Sequence, residues 1–547
     1  MKRKPNIILI FADDLGYGDV SCFNENSKIH TRNIDSLAES GMKFKDSHAT
    51  SALCTPSRYG LLTGRYNWRS RLKSYVIPGD SDTLIERDRK TIAHIMKDSG
   101  YRTAAVGKWH LGLEWTYKEG KDFKKFSLDP DNFEDHKYQF GRGGVFDPSC
   151  PFAEIEGLDI DYEKPIKYGP NDYGFDYFFG TSASLDQPPY VYIENSRIIG
   201  NPAVLSGLPD LDRAEDSQKH AWQMGPAAVG FVNKQVPVDM QNKVMELLDE
   251  FTDSDQPYFL YYPVHLVHGP LLPSDEFKGQ SGIGDYGDFV LQLDHYVGQI
   301  IDILKAKDQF EDTVVIFTSD NGASGVAGFE ELAEHGHNPS YHFKGKKADI
   351  WEGGHREPTI ISYPREIEGG TETEQMTSHS DIYRTLADLL GAEVPEDAAE
   401  DSYSLIPVLK GERKSVREDI VHSSGNGGFS IRRGYWKLNL VAEGGGFDAS
   451  YSLKDETKED THFRPCELFD LRDDISETEN IIDKHPEVVK ELKDALTEYI
   501  KRGRSTEGAA QKNQPNWPSG SWKQIYWMDG YDEYIDELNS SDENNEE

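Results

Sequence analysis

Asn6-Ile7-Ile8-Leu9-Ile10-Phe11-Ala12-Asp13-Asp14 is an uninterrupted apolar run that ends abruptly in two carboxylates. Consecutive β-branched and aromatic residues with no polar alternation predict a strand buried on both faces, as a parallel sheet demands. The same texture predicts further strands at Thr103–Val106, Tyr258–Val264, Thr313–Thr318 and Thr359–Tyr363. Between them, helical periodicity runs over Asn33–Ser40, Thr91–Ser99, Val238–Asp249, Asp288–Lys305 and Asp381–Leu390. Strands alternating with helices predict an α/β fold: a large, doubly wound, mostly parallel sheet sandwiched by helices. Such sheets bind ligands outside the carboxyl ends of their strands. Asp13-Asp14 and Asp320-Asn321 both fall at such ends.

The 547 residues exceed one ordinary core and predict two domains. Residues 1–415 form the expected catalytic domain, and the stretch of about 117–237, rich in Gly, Pro, Asp and aromatics, is expected as long loop insertions walling a pocket. Residues 416–547 form an expected smaller α+β domain, with short antiparallel strands at Phe429–Arg433, Tyr435–Val441 and Glu467–Leu471 and a helix at Pro486–Lys501. From Asp529 onward there are nine acidic and no basic residues, and the end of this tail is expected to be disordered. The net charge of −37 excludes a nucleic-acid partner, which requires a basic face. A polyanionic substrate would need a locally positive pocket to overcome that field. Cysteines 22, 54, 150 and 466 show no metal-binding CxxC spacing. The only early apolar run is too short for a signal-peptide core, and none reaches the ~18 residues of a membrane helix.

The decisive local signal is Cys54-Thr55-Pro56-Ser57-Arg58, followed by Leu61-Leu62-Thr63-Gly64-Arg65. Taken with Asp13-Asp14, Ser319-Asp320-Asn321-Gly322 and Gly107-Lys108-Trp109-His110-Leu111-Gly112, the chain resembles the type I sulfatases of the alkaline phosphatase superfamily. The resemblance spans most of the chain. It implies that Cys54 is oxidised to Cα-formylglycine, whose hydrate is the nucleophile, and that a formylglycine-generating or anaerobic sulfatase-maturating enzyme is a partner. Pro56 should place residue 54 near a helix N-terminus, where amides and dipole favour an anion.

Asp13, Asp14, Asp320 and Asn321 are hard oxygen donors suited to Ca2+ or Mg2+. Taken alone, each pair also reads as a turn. Two such pairs after two buried strands point to a metal, and the resemblance implies that they bind it together with residue 54, Ca2+ being favoured over Mg2+. Arg58, four residues from Cys54, can share its helix face. Strand alternation would place Lys108 and His110 on one side. The resemblance implies that Lys108 contacts sulfate and that His110 takes a proton so that sulfate leaves. By its place before Gly269-Pro270, His268 matches the sulfate-binding histidine, whereas His265 reads as supporting. Counting back from Glu352-Gly353-Gly354 selects Lys347 as the site lysine and makes that triplet a turn that aims it.

His136, Arg142, Asp186, Tyr190 and Tyr192 lie on aromatic-rich loops that could hold a sugar. The expected activity is therefore release of sulfate from a sulfated carbohydrate, exo-acting on a terminal sugar, and no membrane span is expected. Periplasmic or extracellular placement follows from the resemblance, and cytoplasmic placement if the chain is complete. Three rivals share these residues: a phosphonate monoester or phosphodiester hydrolase, an inactive sulfated-glycan-binding protein, and a thiol enzyme using Cys54 directly.

Overall fold

The structure, a computed structural model, describes residues 4–119, 156–207, 220, 222–412, 414–451, 457–460, 462–515 and 521–542. Ten strands form one sheet, in the order Thr371–Thr373, Gly41–Phe44, Thr359–Ser362, Thr313–Ser319, Asn6–Ala12, Tyr258–Pro263, Arg102–Lys108, Tyr177–Thr181, Tyr192–Glu194 and Arg197–Ile199. From Thr313–Ser319 to Tyr177–Thr181 every neighbouring pair is parallel. Antiparallel pairs enter only toward the two edges.

Asn6–Ala12 sits in the middle and is buried along its whole length. Its alternate side chains feed two cores. Ile7, Leu9 and Phe11 pack with Leu61, Leu62, Ile92 and Leu386 on one face. Ile8, Ile10 and Ala12 pack with Leu37, Val244, Leu248 and Val297 on the other. Full burial of each such side chain is worth roughly 1.5–3 kcal/mol, which explains why this strand carries no polar residue between Asn6 and Asp13.

The five expected strands and the five expected helices all form, with Asp381–Leu390 matching at both ends. The sheet is wider than expected. Gly41–Phe44, Thr371–Thr373, Tyr177–Thr181, Tyr192–Glu194 and Arg197–Ile199 are too short to carry a periodic signal, and pairing with neighbours decides them. The stretch 117–237 therefore needs correction: three of its segments extend the central sheet rather than looping over it, since Ala104–Lys108 registers directly with Tyr177–Thr181.

A second, antiparallel sheet runs in the order Asp419–Ser423, Phe429–Arg433, Trp436–Leu440 and Glu467–Asp470. The helix Pro486–Arg502 lays Leu492, Leu496 and Ile500 onto it. The acidic tail is not featureless. Tyr531–Asp542 is a helix whose Tyr534 and Leu538 enter the same core, and residues 543–547 lie outside the described residues. Tyr66 and Trp68, which follow the Cys54–Thr63 helix, belong to that core as well.

Arg69 locks this junction. Its guanidinium donates to Asp401 at 2.8 and 2.9 Å and to the Tyr499 carbonyl at 2.8 Å, and it lies 4.1 Å over the Trp68 ring. Both ionic partners are fully buried. Arg69→Met leaves Asp401 uncompensated and is expected to cost about 3–5 kcal/mol. A fall in the urea unfolding midpoint would show it, and an unchanged midpoint would refute the lock.

Candidate active site

The site forms where the parallel strands end. Asn6–Ala12 runs out into Asp13 and Asp14, with Asp14 in the left-handed region at φ 61°. That bend turns consecutive carboxylates to separate partners. Asp13 faces Lys108 at 2.8 and 3.0 Å, whereas Asp14 faces Lys347 at 2.7 and 2.8 Å. Thr313–Ser319 ends beside it in Asp320 and Asn321. The Asp14 amide donates to Asp320 Oδ1 at 3.2 Å, and Asn321 Nδ2 donates to Asp14 Oδ1 at 2.7 Å. Three carboxylates and an amide from two strand ends thus converge, all fully buried or nearly so.

Cys54 is the first residue of the helix Cys54–Thr63, at the N-terminal place expected for it, with Pro56 tolerated in the first turn. Its Sγ lies 3.7 Å from Asp13 Oδ1. One turn on, Arg58 donates to Asp320 Oδ2 at 2.7 and 3.1 Å and to the Lys108 carbonyl at 2.9 Å. Arg58 thereby ties the helix to two strand ends.

Lys108 closes its strand, but His110 lies beyond it at φ 55°, so strand alternation does not place the two on one side. His110 comes near by the turn instead. Its Nε2 lies 3.0 Å from the Ile77 carbonyl, an acceptor, so that nitrogen carries the proton. Nδ1 is left bare and, among the described residues, without a partner. His268 Nε2 stands 3.7 Å from Asp14 Oδ2. His265 is buried behind it, 2.8 Å from the Thr181 hydroxyl, the supporting position expected.

Charge is balanced within the cluster: Asp13, Asp14 and Asp320 face Arg58, Lys108 and Lys347. Burial works to raise Asp13, but Lys108, His268 and Arg58 outweigh it and hold the carboxyl well below its ordinary range. Burial and the Asp13 charge push Asp320 up to about 6, against the pull of Arg58. His110 is depressed well below the usual imidazole range, by burial first and then by Lys108 and Arg58. It is a neutral base poised beside cations.

The donor set fits a hard divalent ion. The Asn321 side-chain oxygen Oδ1 is buried without a partner among the described residues, and Asp13, Asp14, Cys54 and His268 offer atoms within 4.8 Å of one another. Sequence reasoning undervalued Glu352. Rather than simply closing a turn, it is a buried carboxylate held by Lys437 and Arg356, each at 3.0 Å. The single charge Lys437, set between Trp436 and Leu438 in the strand Trp436–Leu440, was the available signal.

The substrate-side expectations divide. His136 and Arg142 lie outside the described residues. Asp186 is half-buried, with Oδ1 lacking a partner among the described residues. Tyr190 is buried, and its hydroxyl donates to the Gln223 carbonyl at 2.5 Å, so that hydroxyl is engaged within the protein. Tyr192 is likewise occupied, donating to Asp239 at 2.6 Å.

Residues 5–392 match the family described as Sulfatase. The chain is 33% identical to an N-acetylgalactosamine-6-O-sulfatase of Bacteroides thetaiotaomicron over 524 residues, covering 90% of this chain and 93% of that one. Human steryl-sulfatase is 33% identical over 454 residues, covering 76% and 71% respectively. A solved Bacteroides thetaiotaomicron structure, described under the metabolism of multiple glycosaminoglycans, superposes with a TM-score of 0.73. It is 32% identical and covers 91% of this chain and 99% of its own.

Gly322, directly after Asn321, meets Gly353 so closely that an added Cβ would lie 2.0 Å from the Gly353 carbonyl oxygen. Gly322→Ala must push backbone apart and is expected to cost about 1–3 kcal/mol. Thermal unfolding checks this, and an unshifted midpoint would show the contact to be slack.

Proposed function

Since the chain belongs to the sulfatase family, we propose that it hydrolyses the sulfate ester of a carbohydrate, with residue 54 as nucleophile after conversion to Cα-formylglycine. One observation carries this reading: residue 54 opens a buried helix with its side chain 3.7 Å from Asp13, on carboxylates already held by Lys108 and Lys347. As a thiol it would be idle. Burial, then the Asp320 charge, push it well above the ordinary cysteine range, so it stays protonated at neutral pH. Hydrated formylglycine would supply one hydroxyl to attack sulfur as the bond to the alcohol oxygen breaks, and a second whose deprotonation re-forms the carbonyl and expels sulfate. A divalent ion held by Asp13, Asp14, Asp320, Asn321 and residue 54, Ca2+ before Mg2+, would polarise the sulfate oxygens and acidify a neighbouring hydroxyl.

The remaining roles fall to the chain's own groups. Arg58 fixes Asp320 against the helix. Lys108 and Lys347 stabilise charge growing on the sulfate, a preorganised electrostatic contribution that is usually the largest in catalysis. His110, neutral with Nδ1 bare, accepts the proton of the second hydroxyl. Burial pulls Lys347 down, but Asp14 carries it well above the usual lysine range, so it enters the reaction charged. With His268 it protonates the departing alcohol oxygen. The 33% identity to the N-acetylgalactosamine-6-O-sulfatase supports a terminal 6-O-sulfated amino sugar as the first substrate to try. Conversion of residue 54 would require a maturating enzyme as partner, and the family resemblance supports a periplasmic or extracellular setting.

Three outcomes test it. Cys54→Ala should abolish turnover against a panel of defined sulfated saccharides, and the corresponding wild-type peptide should carry the aldehyde mass. Full activity with an unaltered thiol would overturn the nucleophile, and preference for aryl phosphonates over every sulfate would overturn the substrate class. Chelation should inactivate the enzyme and calcium should restore it. Lys347→Ala should slow poor leaving groups more than activated aryl sulfates, whereas equal losses would remove its proton-donor role.

A further inference from the structure

A second ligand-like cluster lies away from the carboxylates, at the seam between the two sheets. His48 follows the Gly41–Phe44 strand, His355 ends the short helix Glu352–His355, and His422 lies on Asp419–Ser423 of the antiparallel sheet. All three are completely buried. One ring nitrogen from each lies within 4.8 Å of the others.

Hydrogen-bond bookkeeping leaves this cluster short of a cation. His48 Nε2 is 2.8 Å from Asp46 Oδ1, and that carboxylate is kept ionised by Arg356 and Arg432 against its burial, so the nitrogen carries a proton. His355 Nε2 is 2.9 Å from the Ile350 carbonyl and must carry one too. The opposite tautomer, accepting from Lys437 at 3.3 Å, would set a lone pair against that carbonyl, and Lys437 is already bound to Glu352 and Glu477. Both Nδ1 atoms are then bare, and they face each other at 3.0 Å. Two lone pairs at that separation repel unless a proton or a metal ion lies between them. Beside them, neither ring nitrogen of His422 has a partner among the described residues.

We propose that His48, His355 and His422 bind a borderline transition-metal ion of the Zn2+ class. Neutral imidazoles suit such ions better than Ca2+ or Mg2+. The distal nitrogens of His48 and His355 already donate to a carboxylate and to a backbone carbonyl, the pairing that fixes the tautomer of metal-ligating histidines. The rings of His355 and His422 lie stacked, 3.8 Å apart at 14°, so binding an ion between the three would require His422 to rotate out of that stack. The ion would join His422 of the smaller sheet to two residues of the larger domain. This inference does not rest on the sulfatase reading.

Wild-type protein, stripped by chelation and loaded with excess Ca2+ to fill hard-oxygen sites, is titrated with Co2+. One equivalent should bind with the visible bands of a low-coordinate nitrogen site, and His422→Gln should weaken that binding by at least about tenfold. No such bands in the wild type, or equal binding in the variant, overturns the proposal. Should His422→Gln fail to fold, X-ray absorption of Zn2+-loaded wild type decides. A shell of three imidazoles supports the site, and an oxygen shell or fewer imidazoles overturns it.

Discussion

The structure depends on three carboxylates packed together out of water. Asp13, Asp14 and Asp320 are each buried to 1% exposure or less, an arrangement that could not survive unless opposite charge came with it. Arg58, Lys108 and Lys347 provide that charge from a helix, a strand end and a loop, and each contact is 2.7–2.8 Å at its shortest. The same six groups that make burial tolerable are the groups a sulfate and a divalent ion would meet. A divalent cation would bring two positive charges to the cluster and a sulfate ester one negative charge, so the pair would add a single positive charge. Stability of the apo arrangement and affinity for the ligand pair therefore draw on one set of contacts.

The sequence made the architecture legible wherever burial on both faces forces an unbroken apolar run. Asn6–Ala12 and Thr313–Ser319 announce themselves, and so do the carboxylates that end them. Edge strands such as Thr371–Thr373 do not, because three residues with one exposed face carry no pattern of their own. The site was legible for a different reason. Asp13, Cys54, Lys108, Asp320 and Lys347 occupy motifs of fixed spacing, and the fold brings them within hydrogen-bond reach. What the motifs could not show is conformation. His110 owes its position to a positive φ, and the orientation of its bare nitrogen to a single carbonyl at Ile77.

Tertiary partners account for what remained hidden. Glu352, His48, Arg432 and Lys437 come from segments far apart in the chain, and no local spacing announces their meeting. Tyr190 and Tyr192 illustrate the converse. Aromatic loop residues suggest a sugar platform, yet their hydroxyls are consumed by the Gln223 carbonyl and by Asp239. Composition counts hydrogen-bonding groups, whereas only coordinates tell which are already engaged.

The chain leaving the helix that begins at Cys54 leads to Tyr66 and Trp68, whose rings are built into the smaller domain's core beside Phe429 and Trp522. Ala52, two residues before the cysteine, donates its amide to the Ser423 carbonyl of that same domain. The segment bearing the reactive position is thus clamped at both ends by what looks like an accessory module. The C-terminal portion is no detachable appendage. Excising it would strip support from both flanks of residue 54, so the two domains are bound to persist or be lost as a single inherited unit.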